Sequence, residues 1–191
     1  MLQDNISLIE DKFKRKVMVA VQTGSNTFNL SNTHDNDVLY IIEDGSNEWR
    51  HYIRLDKEDL FIVDYHILER AIRFEFTNMR EAIYCVFYTI SLFCASRNKK
   101  NNLLYGELPI ILNLDAYSKN RRKAVAIFLE QCRTRKGHCA KTMYWAMALI
   151  YALQNNGEWF TAEQLDMIQK CHDRELPVGY VDKFLELNEL L

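Results

Sequence analysis

The chain has 191 residues, of which 48% are apolar and 26% are charged, a composition typical of a globular protein with a substantial core. Its formal net charge of −2 gives no general attraction to nucleic acid, so any such surface would be local. We expect neither a membrane span nor a signal peptide, because no apolar run reaches about 18 residues and Met1–Arg15 is charged. Five cysteines without a CxxC pair predict reduced, buried thiols in a cytoplasmic protein.

The first elements are predicted to be a helix and two strands. Apolar residues recur at helical spacing over residues 3–14, which predicts a short helix packed on a sheet, with Asp4 or Asn5 as its cap. The apolar runs at 17–21 and 38–42 predict two buried strands.

Between these strands lie a Gly-Ser pair and two closely spaced carboxylates. Gly24 and Ser25 directly follow the first strand, and backbone N–H groups in such a turn can cradle a phosphate. Asp35 and Asp37 stand where the second strand begins, and strand alternation would point them the same way. Two like charges this close are costly unless a cation lies between them, and hard oxygen ligands suit Mg²⁺. The segment therefore favours phosphoryl or nucleotidyl transfer; the alternative is a pair of solvated loop-end aspartates.

Residues 24–37, GSNTFNLSNTHDND, resemble the signature of the DNA polymerase β-like nucleotidyltransferase superfamily. More narrowly, the segment looks like the GS-x-x-[YF]-G-[LF]-x-[ST]-x-x-SD-[IV]-D stretch of bacterial and phage proteins described as predicted nucleotidyltransferases. The matching positions include Phe28, Leu30, Asp35 and Asp37. Asn29 replaces the usual glycine, and asparagine tolerates the left-handed conformation expected there. Asn36 replaces the usual aliphatic residue between the carboxylates, which predicts weaker packing at that position.

Residues 58–66 predict another strand, and the period becomes helical over 67–74. The resemblance makes Asp59 the third carboxylate, which in this superfamily serves the metal and the attacking hydroxyl. Strand alternation places Asp59 with Phe61 on one face and Asp64 on the other, where Asp64 is expected to cap the following helix. A solvated Asp59, and Asp64 as the third carboxylate in its place, are the alternatives. Residues 49–55 are predicted to be an extended segment or the arm of a hairpin.

From Asn78, a predicted cap, the chain is expected to be mostly helical. Helices are predicted at 79–95, 116–133, 137–155, from the capping-box sequence at Thr161, and at about 179–190, with a polar loop at 96–109. Eight basic residues and one acid lie between positions 119 and 141. Such a cluster would serve a nucleoside triphosphate, a nucleic-acid acceptor or both, unless it is a solvated helix face.

The resemblance assigns two residues of this basic cluster to the site. His138 and Lys141 lie one helical turn apart, where the family carries a His-x-x-Arg pair, and would contact the phosphates. A competing hypothesis uses Arg133 and His138, whose spacing fits the R-x4-H pattern of small helical ribonucleases.

The predicted fold is α+β, with a small mixed-sheet nucleotidyltransferase core over residues 1–75 followed by a helical C-terminal half over 76–191. The resemblance implies Mg²⁺-dependent (or Mn²⁺-dependent) transfer of a nucleoside monophosphate from an NTP to an acceptor hydroxyl of an RNA, such as a tRNA, or of a protein. The residues assigned to the metal are Asp35, Asp37 and Asp59, and those assigned to the triphosphate are Gly24 and Ser25. The alternative is an inactive module of the same fold that binds RNA, nucleotide or a protein partner.

Overall fold

The computed structural model describes residues 2–30, 36–46, 48–108, 139–173, 175 and 179–180, with residues 139–143 described by their backbone alone. The chain divides into two units, Met1–Glu69 with Cys94–Ile111 and Arg70–Phe93 with Leu112–Leu191. The described residues form a mixed α+β structure with a five-stranded sheet. No helix in these ranges is long and apolar enough to cross a membrane. The expected division after residue 75 stays a prediction.

The sheet lies in the first unit and combines parallel and antiparallel pairs. Its strands are β1 (Val17–Gln22), β2 (Asn36–Ile42), β3 (His51–Arg54), β4 (Glu58–Asp64) and β5 (Leu103–Tyr105). They are arranged in the order β3-β4-β2-β1-β5. The pair β2–β4 is parallel, and the other three pairs are antiparallel. The predicted strands are therefore confirmed, although β4 ends two residues earlier than expected, because helix α2 (Tyr65–Ile72) begins at once.

Helix α1 (Leu2–Phe13) covers one face of this sheet. The buried side chains that meet there are Ile6, Ile9, Val17, Ala20, Val38, Tyr40, Ile42, Leu60 and Ile62. The predicted helix is confirmed, but its predicted cap is wrong, because α1 already includes Asp4 and Asn5. Asn5 is buried, and its side-chain amide donates to Glu58 of β4 at 2.7 Å. This asparagine therefore ties the helix to the sheet.

The segment predicted as a polar loop at 96–109 contains two short elements. Helix α4 (Lys99–Asn102) is followed by β5, which pairs with β1 at the edge of the sheet. The side-chain amide of Asn102 is buried and donates to the carbonyl oxygens of Thr27 at 3.2 Å and Cys94 at 3.3 Å. The loop prediction was wrong because backbone pairing and this one asparagine organise a segment whose side chains are largely polar.

The described helices of the second unit pack through aromatic side chains. Helix α3 (Met79–Arg97) starts after Asn78, whose side-chain oxygen accepts the N–H of Glu81 at 3.0 Å, so the predicted cap is confirmed. Helix α5 (Cys139–Gln154) places Trp145 on Phe87 of α3, with ring centroids 4.6 Å apart. Its Tyr144 packs edge-on against His172, the last residue of helix α6 (Ala162–His172), at 5.3 Å.

Helix α6 begins with the capping box that the sequence predicted. The hydroxyl of Thr161 accepts the N–H of Gln164 at 3.2 Å, and the Gln164 side chain accepts the N–H of Thr161 at 2.9 Å. The helix predicted at 116–133 lies outside the described residues, as does the one at 179–190 apart from positions 179–180.

Candidate functional site

The turn after β1 is a short 3-10 helix, Gly24–Phe28, held beside β2. Gly24 has a φ of +68°, in the left-handed region that glycine adopts readily. Asn29 follows the turn with a φ of +55°, so the left-handed conformation expected at this position is confirmed. The N–H of Thr23 donates to the carbonyl oxygen of Asp37 at 2.9 Å, which fixes the start of the turn against β2. Ser25 is half-buried in the same turn.

Gly24 lies directly against the carboxylate of Asp37. A Cβ placed on Gly24 would lie 2.1 Å from Oδ2 of Asp37 and 2.9 Å from its Cγ. Any side chain at position 24 would therefore displace this carboxylate. The absence of a side chain, together with the positive φ, explains why the sequence has glycine here.

Asp37 and Asp59 lie opposite each other on neighbouring strands. In the parallel β2–β4 pair the register matches Asp37 with Asp59. Paired residues of adjacent strands point to the same face, and adjacent strands lie about 4.8 Å apart. Asp59 alternates in burial with its neighbours along β4, as expected for a strand with one more open face. Two carboxylates from distant parts of the sequence are thus brought together, while Asp35 lies outside the described residues.

Two side chains of β3 contact the carboxylate of Asp59. The Tyr52 hydroxyl donates to Oδ1 at 2.6 Å, and the Nε of Arg54 lies 3.7 Å from the same oxygen. Burial and, second, the hydrogen bond to Asp59 raise the pKa of Tyr52 above its ordinary value, which favours the protonated phenol that donates this bond. Our sequence interpretation missed both residues. The pattern Arg-x-Tyr-x-Arg over 50–54 could have indicated them, because alternate residues of an extended segment point to the same side.

The opposite face of the same strands carries a separate polar network. The Asn36 side chain accepts from the Gln22 amide at 2.9 Å and donates to Glu58 Oε1 at 2.9 Å. The amide of Asn5 donates to Glu58 Oε2 at 2.7 Å. The Asn36 amide thus finds hydrogen-bond partners on both neighbouring strands, and the weaker packing expected at this position stays a prediction. Asn36 lies beside the carboxylate pair in sequence but not on its face.

Asp64 does not join the pair and does not cap α2. It pairs with Ile42 at the far end of β2 and β4, and its fully buried carboxylate accepts the N–H of Ser46. The N–H of His66, in the first turn of α2, donates instead to Oδ1 of Asp44 at 2.7 Å. The cap prediction was wrong because Asp64 points to the buried face of β4. Of the two candidates for a third carboxylate, Asp59 is the one opposite Asp37.

The remaining candidates are not placed relative to these residues. His138 lies outside the described residues, and Lys141 lies in α5, where only its backbone is described. Among the residues that the structure describes, no three His, Cys, Asp or Glu side chains are grouped so that they could hold a metal ion. The described part of the site is therefore a carboxylate pair, a glycine turn on one side and two β3 side chains on the other.

In comparisons with known proteins, no protein-family model matches the chain, and no curated protein sequence matches it.

Proposed function

We propose that this protein is a Mg²⁺-dependent nucleotidyltransferase, with a nucleotidyltransferase core followed by a helical C-terminal half. The observation that carries the proposal is the in-register pairing of Asp37 with Asp59, with Gly24 packed against the first carboxylate. Gly24, Ser25 and Asp37 lie close together in the sequence, and Gly24 also contacts Asp37 in the fold. The sheet adds Asp59, the residue that the resemblance assigned to the same site.

The chemistry of the donor set fits Mg²⁺ or Mn²⁺. Carboxylate oxygens are hard ligands, and Mg²⁺ is commonly held by one or two carboxylates together with substrate phosphates. Asp37 and Asp59 would hold the ion, together with Asp35, the third ligand that the resemblance implies. When bound, the ion neutralises the charge that develops on the transferring phosphoryl group. Gly24 and Ser25 would hold the triphosphate with backbone N–H groups.

The proposed reaction is a single displacement at the α-phosphorus of an NTP. The acceptor hydroxyl oxygen forms a new bond to this phosphorus, and the bond to the bridging oxygen breaks, releasing pyrophosphate. The hydroxyl proton passes to Asp59, which acts as the general base. In such transfers most of the rate enhancement comes from the orientation of the two substrates and from the stabilisation of charge.

The test is transfer of label from α-³²P NTPs with Mg²⁺ in the presence of cellular RNA or protein. We expect labelled product from the intact chain, and a loss of at least about 100-fold in Asp37→Asn and Asp59→Asn, because metal-assisted stabilisation is worth several kcal/mol. Asp56→Asn is the matched control, since Asp56 is an exposed aspartate between β3 and β4. No labelled product, together with no Mg²⁺-dependent NTP binding, would refute the proposal. Saturable NTP binding without transfer would identify a binding module instead.

A further inference from the structure

An aromatic and basic strip lies beside the carboxylate pair, formed by β3, the residue before it and the adjoining part of β4. The strip consists of Arg50, Tyr52, Arg54 and Phe61, and we call it the β3 strip. The Tyr52 and Phe61 rings lie on paired residues, with centroids 5.5 Å apart. The Arg50 guanidinium carbon lies 4.8 Å from the Tyr52 ring centroid and 5.6 Å from that of Phe61. Tyr52 is 37% exposed, so one large aromatic side chain remains accessible on this strip.

The β3 strip is continuous with the carboxylate pair. The hydroxyl of Tyr52 is bonded to Asp59, which fixes the orientation of the ring relative to that carboxylate. Arg54 lies on the same side and is 65% exposed in its side chain. A ligand stacked on Tyr52 would therefore have its next group close to Asp59.

The order of the strands separates two substrate positions. The Gly24 turn follows β1 and contacts Asp37, whereas β3 lies on the other side of β4, and its Tyr52 and Arg54 side chains contact Asp59. The carboxylate pair thus has the Gly24 turn on one side and the strip on the other. If the triphosphate lies at the Gly24 turn, the strip adjoins the position of the second substrate.

We propose that the β3 strip binds the end of a single-stranded nucleic acid, which supplies the acceptor hydroxyl. This inference rests on the proposed function, because the bound nucleic acid is an acceptor only if the protein transfers a nucleotidyl group. Exposed aromatic rings stack on bases, and arginine beside them pairs with the phosphate backbone and adds cation–π attraction. The arrangement of Arg50, Tyr52 and Arg54 provides these groups in alternation along an edge strand. A hydroxyl on a folded protein would not need a stacking ring flanked by two guanidinium groups.

The test is binding of a fluorescently labelled single-stranded RNA 12-mer, measured by anisotropy without NTP or Mg²⁺. Tyr52→Ala should weaken binding about tenfold, because stacking on one side chain contributes at that level. Tyr105→Ala is the matched control, since Tyr105 is 42% exposed on β5 at the opposite edge of the sheet. Tyr52→Phe keeps the ring and should bind within about twofold of the intact chain, which separates stacking from the bond to Asp59.

The arginines are tested by the salt dependence of the same binding. Arg54→Ala should reduce the slope of log affinity against log salt by about 1, the change expected for one lost phosphate contact. Arg73→Ala, which removes an arginine paired with Glu75 in the second unit, should leave the slope unchanged. A blunt duplex of the same length should bind more weakly, because its bases are not available for stacking.

The outcomes separate this inference from the proposed function. Equal binding by the intact chain and Tyr52→Ala, or transfer of label to protein alone, overturns the β3 strip as a nucleic-acid site and leaves the transferase intact. Loss of RNA binding in Tyr52→Ala, with Tyr105→Ala unchanged, supports the strip even if no label is transferred. Thermal unfolding of each variant excludes loss of fold as the cause.

Discussion

Gly24 and Asp37 are in direct contact, and the contact depends on glycine having no side chain. The Cα of Gly24 lies so near the carboxylate that an added Cβ would be 2.1 Å from Oδ2. The same residue has a φ of +68°, which side-chain-bearing residues adopt at a cost. The turn and the carboxylate are therefore fixed relative to each other by two independent constraints.

Replacing Gly24 with alanine tests this relationship. The left-handed conformation costs alanine about 1–2 kcal/mol of stability, and the clash must also move the Asp37 carboxylate. We expect Gly24→Ala to lower the free energy of unfolding in urea by at least that amount and to reduce transfer activity more than tenfold. Gly179→Ala is the matched control, because a Cβ at Gly179 meets nothing within 4 Å. Equal stability of the two variants would show that the Gly24–Asp37 contact is not required.

The central strands of the sheet were predictable because their apolar runs are long. The runs at 17–21 and 38–42 have the length and the unbroken apolar character of buried strands, and the structure forms β1 and β2 there. By contrast, β5 has only three residues, Leu103–Tyr105, an apolar stretch too short to predict a strand, so only its backbone pairing with β1 identifies it. Short edge elements of this kind depend on contacts between distant segments, which periodicity does not encode.

The site was predictable in its parts but not in its arrangement. The Gly-Ser turn and Asp37 follow from local sequence, whereas the register that sets Asp37 opposite Asp59 depends on the parallel pairing of β2 with β4, two strands that β3 separates in the sequence. The hydrogen bonds of Asn36 could not be predicted, because its partner Glu58 lies 22 residues away in the sequence, on the neighbouring strand β4. Polar pairs buried between strands cannot be recognised from either residue alone.

Glu58 gives a second prediction, on the face opposite the site. Glu58 is 7% exposed as a residue, and its carboxylate accepts from two amides, those of Asn5 and Asn36. In Glu58→Gln one oxygen becomes an NH₂ group that faces a donor, so one hydrogen bond is lost and a buried donor is left without its partner. We expect a loss of about 1–3 kcal/mol in the free energy of unfolding.

The control for Glu58→Gln is Glu107→Gln, since Glu107 is exposed and the same chemical change there should cost less than about 0.5 kcal/mol. Urea denaturation monitored by tryptophan fluorescence measures both. If Glu58→Gln is as stable as the intact chain, the amide network does not hold α1 to the sheet.

Cys171 provides a pH-dependent prediction in the second unit. It is buried in α6, and burial raises the pKa of its thiol from 9.0 to about 11. The folded chain thus holds this proton more tightly than the unfolded chain does. The resulting contribution to stability is complete below pH 9 and is lost as the pH rises through 11.

Replacing Cys171 with alanine should therefore flatten the alkaline decline in stability. A pKa shift from 9.0 to about 11 corresponds to about 3 kcal/mol in the free energy of unfolding. Between pH 8 and 11 the free energy of unfolding of the variant should therefore fall less than that of the intact chain, by a difference of up to about 3 kcal/mol. Ile168→Ala is the matched control, because it removes a fully buried side chain of the same helix without removing a titrating group. It should lower stability at every pH by a constant amount. Urea denaturation under reducing conditions at pH 8, 9, 10 and 11 measures the slopes, and parallel slopes for Cys171→Ala and the intact chain would contradict the assignment.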